Sequence, residues 1–407
     1  MKITNLSIAA IAAVGMMSVA HAEVTLDEVK GNAKIWYETA DSDGGGENGL
    51  FDQHAAGFTG GDAAISVEAT GKLGSAMGYG VKYTAVDTLG LENNVVSSRR
   101  TPAAGADPLA TAHWFEKAYV TYKMGNTLAK IGRQHLNTPL AFTEAWNVSA
   151  NSFDAAVLVN TDIENVTLIG AYVGRGNGGN PGIAGFSTVQ PSGKFGTYVA
   201  DGAYAAAALV KPVENAGINA WYYNVEKVAD AVWLDADYTV SGINVGALYA
   251  QMQPKGTLDG SDDTSGFAVK AGAKAGPVSL FGAYSSISKD GVLPIANTAT
   301  NFKKTKLPTA GVYTDGVIVA QPGSDTFKLK ASAPVGPVTL TAQYISTTND
   351  INKAKDVDEF DVIIGTKLAD INVKAIYINR TFDQNQKAGN VGNSDSNHVR
   401  IIAGYDF

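Results

Sequence analysis

Asn397-His398-Val399-Arg400-Ile401-Ile402-Ala403-Gly404-Tyr405-Asp406-Phe407 closes the chain on a two-residue alternation. Successive side chains of a strand point to opposite faces. Val399, Ile401, Ala403, Tyr405 and Phe407 therefore share one face, and His398, Arg400, Ile402, Gly404 and Asp406 share the other. A frayed terminus would leave Tyr405 and Phe407 in water, so the apolar face needs a cover. A membrane-barrel strand supplies one, with lipid on the apolar side and a wet lumen on the other.

The opposite end of the chain points the same way. Lys2 precedes an apolar run from Leu6 to Ala20, and Ala20-His21-Ala22 has the small-x-small form of a cleavage site. The run is too short and too rich in Ala for a membrane anchor. A secretory leader over residues 1–22, cut after Ala22, is expected, with residues 23–407 as one unit. Its removal takes only Lys2 from the charged set and moves the formal net charge from -8 to -9. An acidic exported chain lacks the clustered basic surface that nucleic-acid binding needs. The chain has no Cys, which excludes disulfides and thiolate metal sites. Hydrophobic residues make up 45% of the chain, yet past the leader no stretch approaches a membrane helix. Forty-five Gly and seventeen Tyr suit turns, close strand approach and interfacial girdles.

About eighteen strand-like segments follow one another, most of them long enough to cross a bilayer at a tilt; sixteen is the alternative count. Short links such as Gly125-Asn126, Ser241-Gly242, Gly276-Pro277 and Ala369-Asp370 alternate with long loops such as 40–61, 89–112, 135–153, 176–199 and 288–324. Short links on one side and long loops on the other predict an all-β fold, a transmembrane antiparallel up-and-down barrel. Residues 228–230 break the rule, being too short for a long-side loop: either that loop is tight or the count slips there. Alternation places Ile65, Phe267, Leu329 and Tyr377 toward lipid, and Glu68, Lys270, Lys328, Lys330 and Lys374 inward. Arg or Lys at the bilayer midplane on the lipid face costs about 2 to 4 kcal/mol, which keeps such charges inside. A charged lumen holds water and is expected not to pack as a dry core.

The third long loop, 135–153, is apolar-rich and carries Phe142, Glu144, Trp146, Asn147 and Asn151. Long loops of this kind usually have a job. It is expected to fold inward as a constriction, with Glu144 and Asp154 opposite the wall bases Lys130, Arg133 and Arg175; the alternative is a rim loop. No His-Glu-x-x-His or Gly-x-Ser-x-Gly motif occurs, and His54, His113, His135 and His398 are scattered, so no enzyme is expected. Asp259, Asp262 and Asp263, and separately Asp41, Asp43 and Glu47, gather the oxygen ligands that calcium prefers without matching a calcium-loop motif. They leave structural calcium or a hydrated, lipopolysaccharide-facing surface as readings. No other cofactor is expected.

Two resemblances sharpen this picture. Terminal Phe407 with Tyr405 two residues earlier resembles the C-terminal signature of bacterial outer-membrane β-barrel proteins, which implies that the barrel-assembly machinery reads this strand. The Gly132-Arg133-Gln134 run, the Pro139 loop, Phe153-Asp154 and the segment Val166 to Gly174 resemble the OprD-like porins, including major outer-membrane porins of Campylobacter relatives. That resemblance implies an eighteen-stranded barrel in the outer membrane, often assembled as a homotrimer, passing small polar solutes, with a ladder of lumenal bases in carboxylate-selective members. Lys374, Arg380 and Arg400 have the inward parity for such a ladder, while Glu68, Asp235, Asp237 and Asp361 add inward acids. Three functions follow for test: a passive diffusion channel, its substrate-selective variant for carboxylates or amino acids, and a structural or adhesive surface barrel. An exported soluble β-protein is the remaining fold alternative, and it would need a second sheet to pair its apolar faces.

Overall fold

The computed structural model describes residues 24–43, 49–51, 59–87, 112–178, 193, 195–199, 201–383 and 394–407. The expected leader and Glu47 lie outside those residues. The strands are β1 (Val24–Ser42), β2 (Gly60–Leu73), β3 (Met77–Asp87), β4 (Ala112–Met124), β5 (Thr127–Gln134), β6 (Phe153–Asn160) and β7 (Val166–Gly176). There follow β8 (Gly196–Thr197), β9 (Ala203–Val210), β10 (Ala216–Val225), β11 (Ala229–Val240), β12 (Ile243–Pro254) and β13 (Thr264–Ala275). The last are β14 (Val278–Ile287), β15 (Ser324–Val335), β16 (Val338–Asn349), β17 (Val357–Leu368), β18 (Ile371–Phe382) and β19 (Ser396–Asp406).

Eighteen of these form a closed antiparallel wall; β8 is a two-residue stub on the end of β7, and β9 pairs with β7 in the wall proper. Closure comes where β1 pairs with β19, from Asn32 opposite Asp406 to Ser42 opposite Ser396, while its other edge pairs with β2. Closing the sheet leaves no unpaired edge, the condition for a strand structure in lipid.

Turn chemistry fixes one end of the barrel. Ser241 and Gly242 join β11 to β12 at φ 50° and 80°, the paired left-handed residues of a type I′ turn whose twist matches the strands it joins. Gly276 and Gly336, each followed by Pro, hold φ 59° and 58°. The other end carries the long loops and one tight link, residues 226–228, where Lys227 sits at φ 61° and the Val228 N–H donates to the Val225 carbonyl at 3.0 Å. That loop is simply tight, so the strand count keeps step.

The outward face is apolar and exposed: Ile65, Ile131, Phe267, Leu329 and Tyr377 stand free of the protein, whereas Glu68, Lys130, Lys270, Lys328 and Lys374 on the same strands have the opposite parity. Covering one such side chain is worth about 1.5 to 3 kcal/mol, which water would not supply. The interior departs from the expected wet lumen. A continuous apolar cluster fills its loop-end half beside β6 to β14, from Phe153, Trp221, Tyr223 and Trp233 to Met252 and Ile287, joined by Leu140, Ile295 and Val319 from two loops. Loops that enter a barrel bury their own apolar groups, and the inward wall positions opposite them must then be apolar too.

Candidate functional site

Two loops meet inside the barrel. The first, 135–152, turns back at Pro139, with Thr143 N–H donating to the Leu136 carbonyl at 2.8 Å and the Thr138 hydroxyl to the Ala141 carbonyl at 2.7 Å. It crosses the lumen to β1, where Lys34 Nζ donates to the Asn147 carbonyl at 2.5 Å and Trp36 Nε1 to the Trp146 carbonyl at 3.1 Å. The second, 288–323, returns on itself as a tongue, with Gly323 N–H donating to the Ser288 carbonyl and Ile295 N–H to the Ala320 carbonyl, both at 3.0 Å.

Asn297 clasps the two together. Its Oδ1 accepts the Phe142 N–H at 3.1 Å and its Nδ2 donates to the Phe142 carbonyl at 2.9 Å, so one carboxamide pairs with one peptide group as a neighbouring strand would. Nδ2 also donates to Glu144 Oε1 at 3.1 Å. Glu144 further accepts from Thr300 Oγ1 and, at 2.8 Å, from Trp146 Nε1. Burial raises the Glu144 carboxyl above its ordinary pKa, against those hydrogen bonds and the nearby Lys304 charge. Glu144 thus serves the clasp and is not set against wall bases.

The tongue reaches across to the closing strands. Tyr313 OH donates to Glu38 of β1, and the guanidinium groups of Arg380 and Arg400 lie 5.7 and 5.3 Å from its ring. Glu359 of β17 accepts the N–H groups of Val312, Tyr313 and Thr314 at 2.6, 3.1 and 2.6 Å, a nest of successive donors around one carboxylate.

The sequence-predicted site residues separate into three groups. Arg133, Asp154 and Arg175 stand in register on β5, β6 and β7, on the face away from buried Gln134 and Phe153. Arg133 Nε lies 2.8 Å and Arg175 Nη2 2.7 Å from the Asp154 carboxylate, an ion triad that does not meet Glu144. Lys130 has inward parity and its Nζ lies 3.8 Å from the Tyr119 ring centroid. Of the intended ladder, Arg400 Nε donates to Glu38 Oε2 at 2.7 Å and Arg380 Nε is 4.0 Å from Glu359, so both are compensated beneath Tyr313. Lys374 is the open member. With Lys34 it lines a cavity of about 480 Å³ at the turn end, and neither lysine has a carboxylate within ion-pair distance among the described residues.

A second cavity, about 340 Å³, lies between the two loops and the β10 to β13 wall, lined in part by Trp221, Trp233, Asp235, Asp237, Lys270 and Lys306. Lys270 Nζ pairs with Asp237 at 2.7 Å. Among the described residues Asp235 accepts only neutral donors, Asn219 Nδ2 at 2.7 Å and Trp233 Nε1 at 2.8 Å. Lys306 donates to Asn137 Oδ1 at 2.9 Å, and burial lowers its pKa. One uncompensated acid and one uncompensated base therefore face the same cavity. Sequence reasoning missed Asn297, Tyr313, Glu38 and Glu359; the signal for the tongue was present in apolar Val292-Leu293-Pro294-Ile295-Ala296 and Val317-Ile318-Val319-Ala320, runs that a solvated loop does not carry. At the proposed calcium cluster Asp263 accepts from Gln251 Nε2 at 2.8 Å, and no group of three or more His, Asp or Glu among the described residues stands together as a metal site.

This barrel has solved counterparts in Pseudomonas aeruginosa. OpdK, crystallised with vanillate, matches at TM-score 0.73 and 13% identity over 94% of this chain and 99% of its own. OccK9 (OpdG) matches at 0.72 and 16% over 93% and 97%, and OccK3 (OpdO) at 0.69 and 14% over 93% and 95%. The chain shares their fold. No protein-family model matches the sequence, and no curated protein does.

Proposed function

We propose that this protein is an outer-membrane porin, a passive diffusion channel for small hydrophilic solutes and ions. The observation that carries this reading is a closed barrel with an exposed apolar exterior, narrowed by two inward loops beside a cavity that bears charges of both signs. Charged rings and walls in a narrowed aqueous path sort solutes by size and sign without covalent chemistry. A structural or adhesive barrel fills its lumen with side chains, whereas eighteen strands leave room for water beside the loops. The P. aeruginosa counterparts include one described as an outer membrane protein, in keeping with this location. The narrower likeness to Campylobacter porins, leader cleavage after Ala22, lipopolysaccharide contact and a homotrimer rest on the sequence reading alone.

A solute-selective variant has its own support: Asp235 and Lys306 face one cavity without ionic partners, and the OpdK structure holds an aromatic carboxylate, vanillate. Purified refolded protein in a planar bilayer tests the proposal. Stepwise ion currents are expected, with saturation by a permeant solute added by the selective variant; a heat-modifiable barrel that passes no current refutes it.

A further inference from the structure

We infer that the first and last strands carry a register code, three residue pairs of different chemistry that all demand the same alignment of β1 with β19. In the observed register the residue numbers of each facing pair add to a constant, as in Asn32 opposite Asp406 and Glu38 opposite Arg400. At the turn end, Gly31 and Phe407 exchange backbone hydrogen bonds, Gly31 N–H to the Phe407 carbonyl at 2.5 Å and Phe407 N–H to the Gly31 carbonyl at 2.9 Å. The Phe407 ring lies across the seam on Gly31: a Cβ placed there would collide with ring atom Cε2. One residue along, on the inward face, Asn32 Nδ2 donates to Asp406 Oδ1 at 2.7 Å. Deeper on that face, Arg400 Nε donates to Glu38 Oε2 at 2.7 Å, both side chains buried and covered by Tyr313.

A single-residue slip reverses every facing and is excluded by the apolar exterior. The dangerous error is a slip of two, which preserves facing and changes the shear that sets the barrel's width. Slipped one way, Phe407 meets Ala33 and Glu38 meets Ile402; slipped the other way, Phe407 meets Val29 and Asn32 meets Gly404. Either slip sets the ring against a Cβ. The first strands Glu38 without a cation directly opposite, and the second removes the acceptor of Asn32. An unpaired buried charge is among the costlier defects a fold can carry. The code therefore acts at closure, when the last strand meets the first.

The Cys-free chain allows a direct reading. Ile35→Cys with Ala403→Cys reports the native register; Ala33→Cys or Tyr37→Cys with Ala403→Cys report the two slips. In refolded wild-type background only the native pair should cross-link under oxidation. Combining Gly31→Val with Glu38→Gln should raise the slipped-to-native ratio at least tenfold, equivalent to about 1.4 kcal/mol. Exchanging ring and glycine across the seam, Gly31→Phe with Phe407→Gly, should keep the native cross-link dominant. A combined variant that closes and shows no rise in slipped product overturns the inference. If it does not close, the single variants are read, and absence of a rise in both overturns it equally.

Discussion

Asn297→Asp is the sharpest test of the clasp between the inward loops. The substitution keeps size and shape and leaves Oδ1 in place for the Phe142 N–H. It replaces Nδ2, which donates to the Phe142 carbonyl at 2.9 Å and to Glu144 at 3.1 Å, by an oxygen that can donate to neither. Asn297 is fully buried, so both acceptors lose a partner away from water. Glu144 Oε1 still accepts from Thr300 Oγ1, so the Phe142 carbonyl is the group left orphaned, at a cost of about 1 to 3 kcal/mol before repulsion between the introduced carboxylate and Glu144 is added. Every 1.4 kcal/mol shifts the docked-to-undocked ratio about tenfold. The wall ladders do not involve this side chain, so the barrel should stay closed and heat-modifiable. Single-channel recording at neutral pH should show larger and noisier openings than wild type. Acid should reverse the effect, because two carboxyls at hydrogen-bond distance share one proton readily. An intact barrel with wild-type conductance and noise at neutral pH would refute the clasp as the element that narrows the lumen.

Other expectations follow from the charges. Lys374→Gln alone should shift the reversal potential toward cations, whereas Glu38→Gln combined with Arg400→Gln, which removes a compensated pair, should leave it nearly unchanged; equal shifts from both would place Arg400 in the solute path after all. Asp235→Asn should move selectivity toward anions and Lys306→Gln toward cations under the same salt gradient, and silence of both would remove the 340 Å³ cavity from the path. Glu144 has a raised carboxyl pKa, so its contribution to loop docking is full in acid and fades as pH rises through that raised value, above the ordinary value of about 4.3. Current noise should grow over that range in wild type and stay flat in Glu144→Gln. Deleting Phe407 should impair assembly while leaving export intact; a normal heat-modifiable barrel in the membrane would contradict that.

The wall was legible because its rule is local. Period two fixes facing, and Gly-Pro and Ser-Gly pairs fix the tight links, so each strand could be read without its neighbours. Ile131 and Lys130 or Leu329 and Lys328 needed only parity. The lumen was not legible to the same depth, because its arrangement is set by partners far apart in the chain. Parity alone could not reveal that Glu38 and Glu359 compensate Arg400 and Arg380. Parity also places Arg133 and Asp154 away from the buried side chains Gln134 and Phe153 of β5 and β6.

The charge balance across the barrel follows from how the loops are held. Inserting the tongue needs fixed anchors, and anchors made of buried ions must be paired to be tolerated. Glu38, Arg400, Arg380 and Glu359 are therefore committed to holding Tyr313 and the closing strands, which on the proposed channel reading withdraws them from solute selection. On the proposed channel reading, what remains for solutes is Lys374 at the turn end, and Asp235 with Lys306 beside the clasp, which have no ion-pair partner among the described residues. Counting inward charges therefore overstates the field a solute meets. The field that matters on that reading comes from side chains whose charge no ion pair within the protein offsets: a base at the turn end, and one acid with one base beside the clasp.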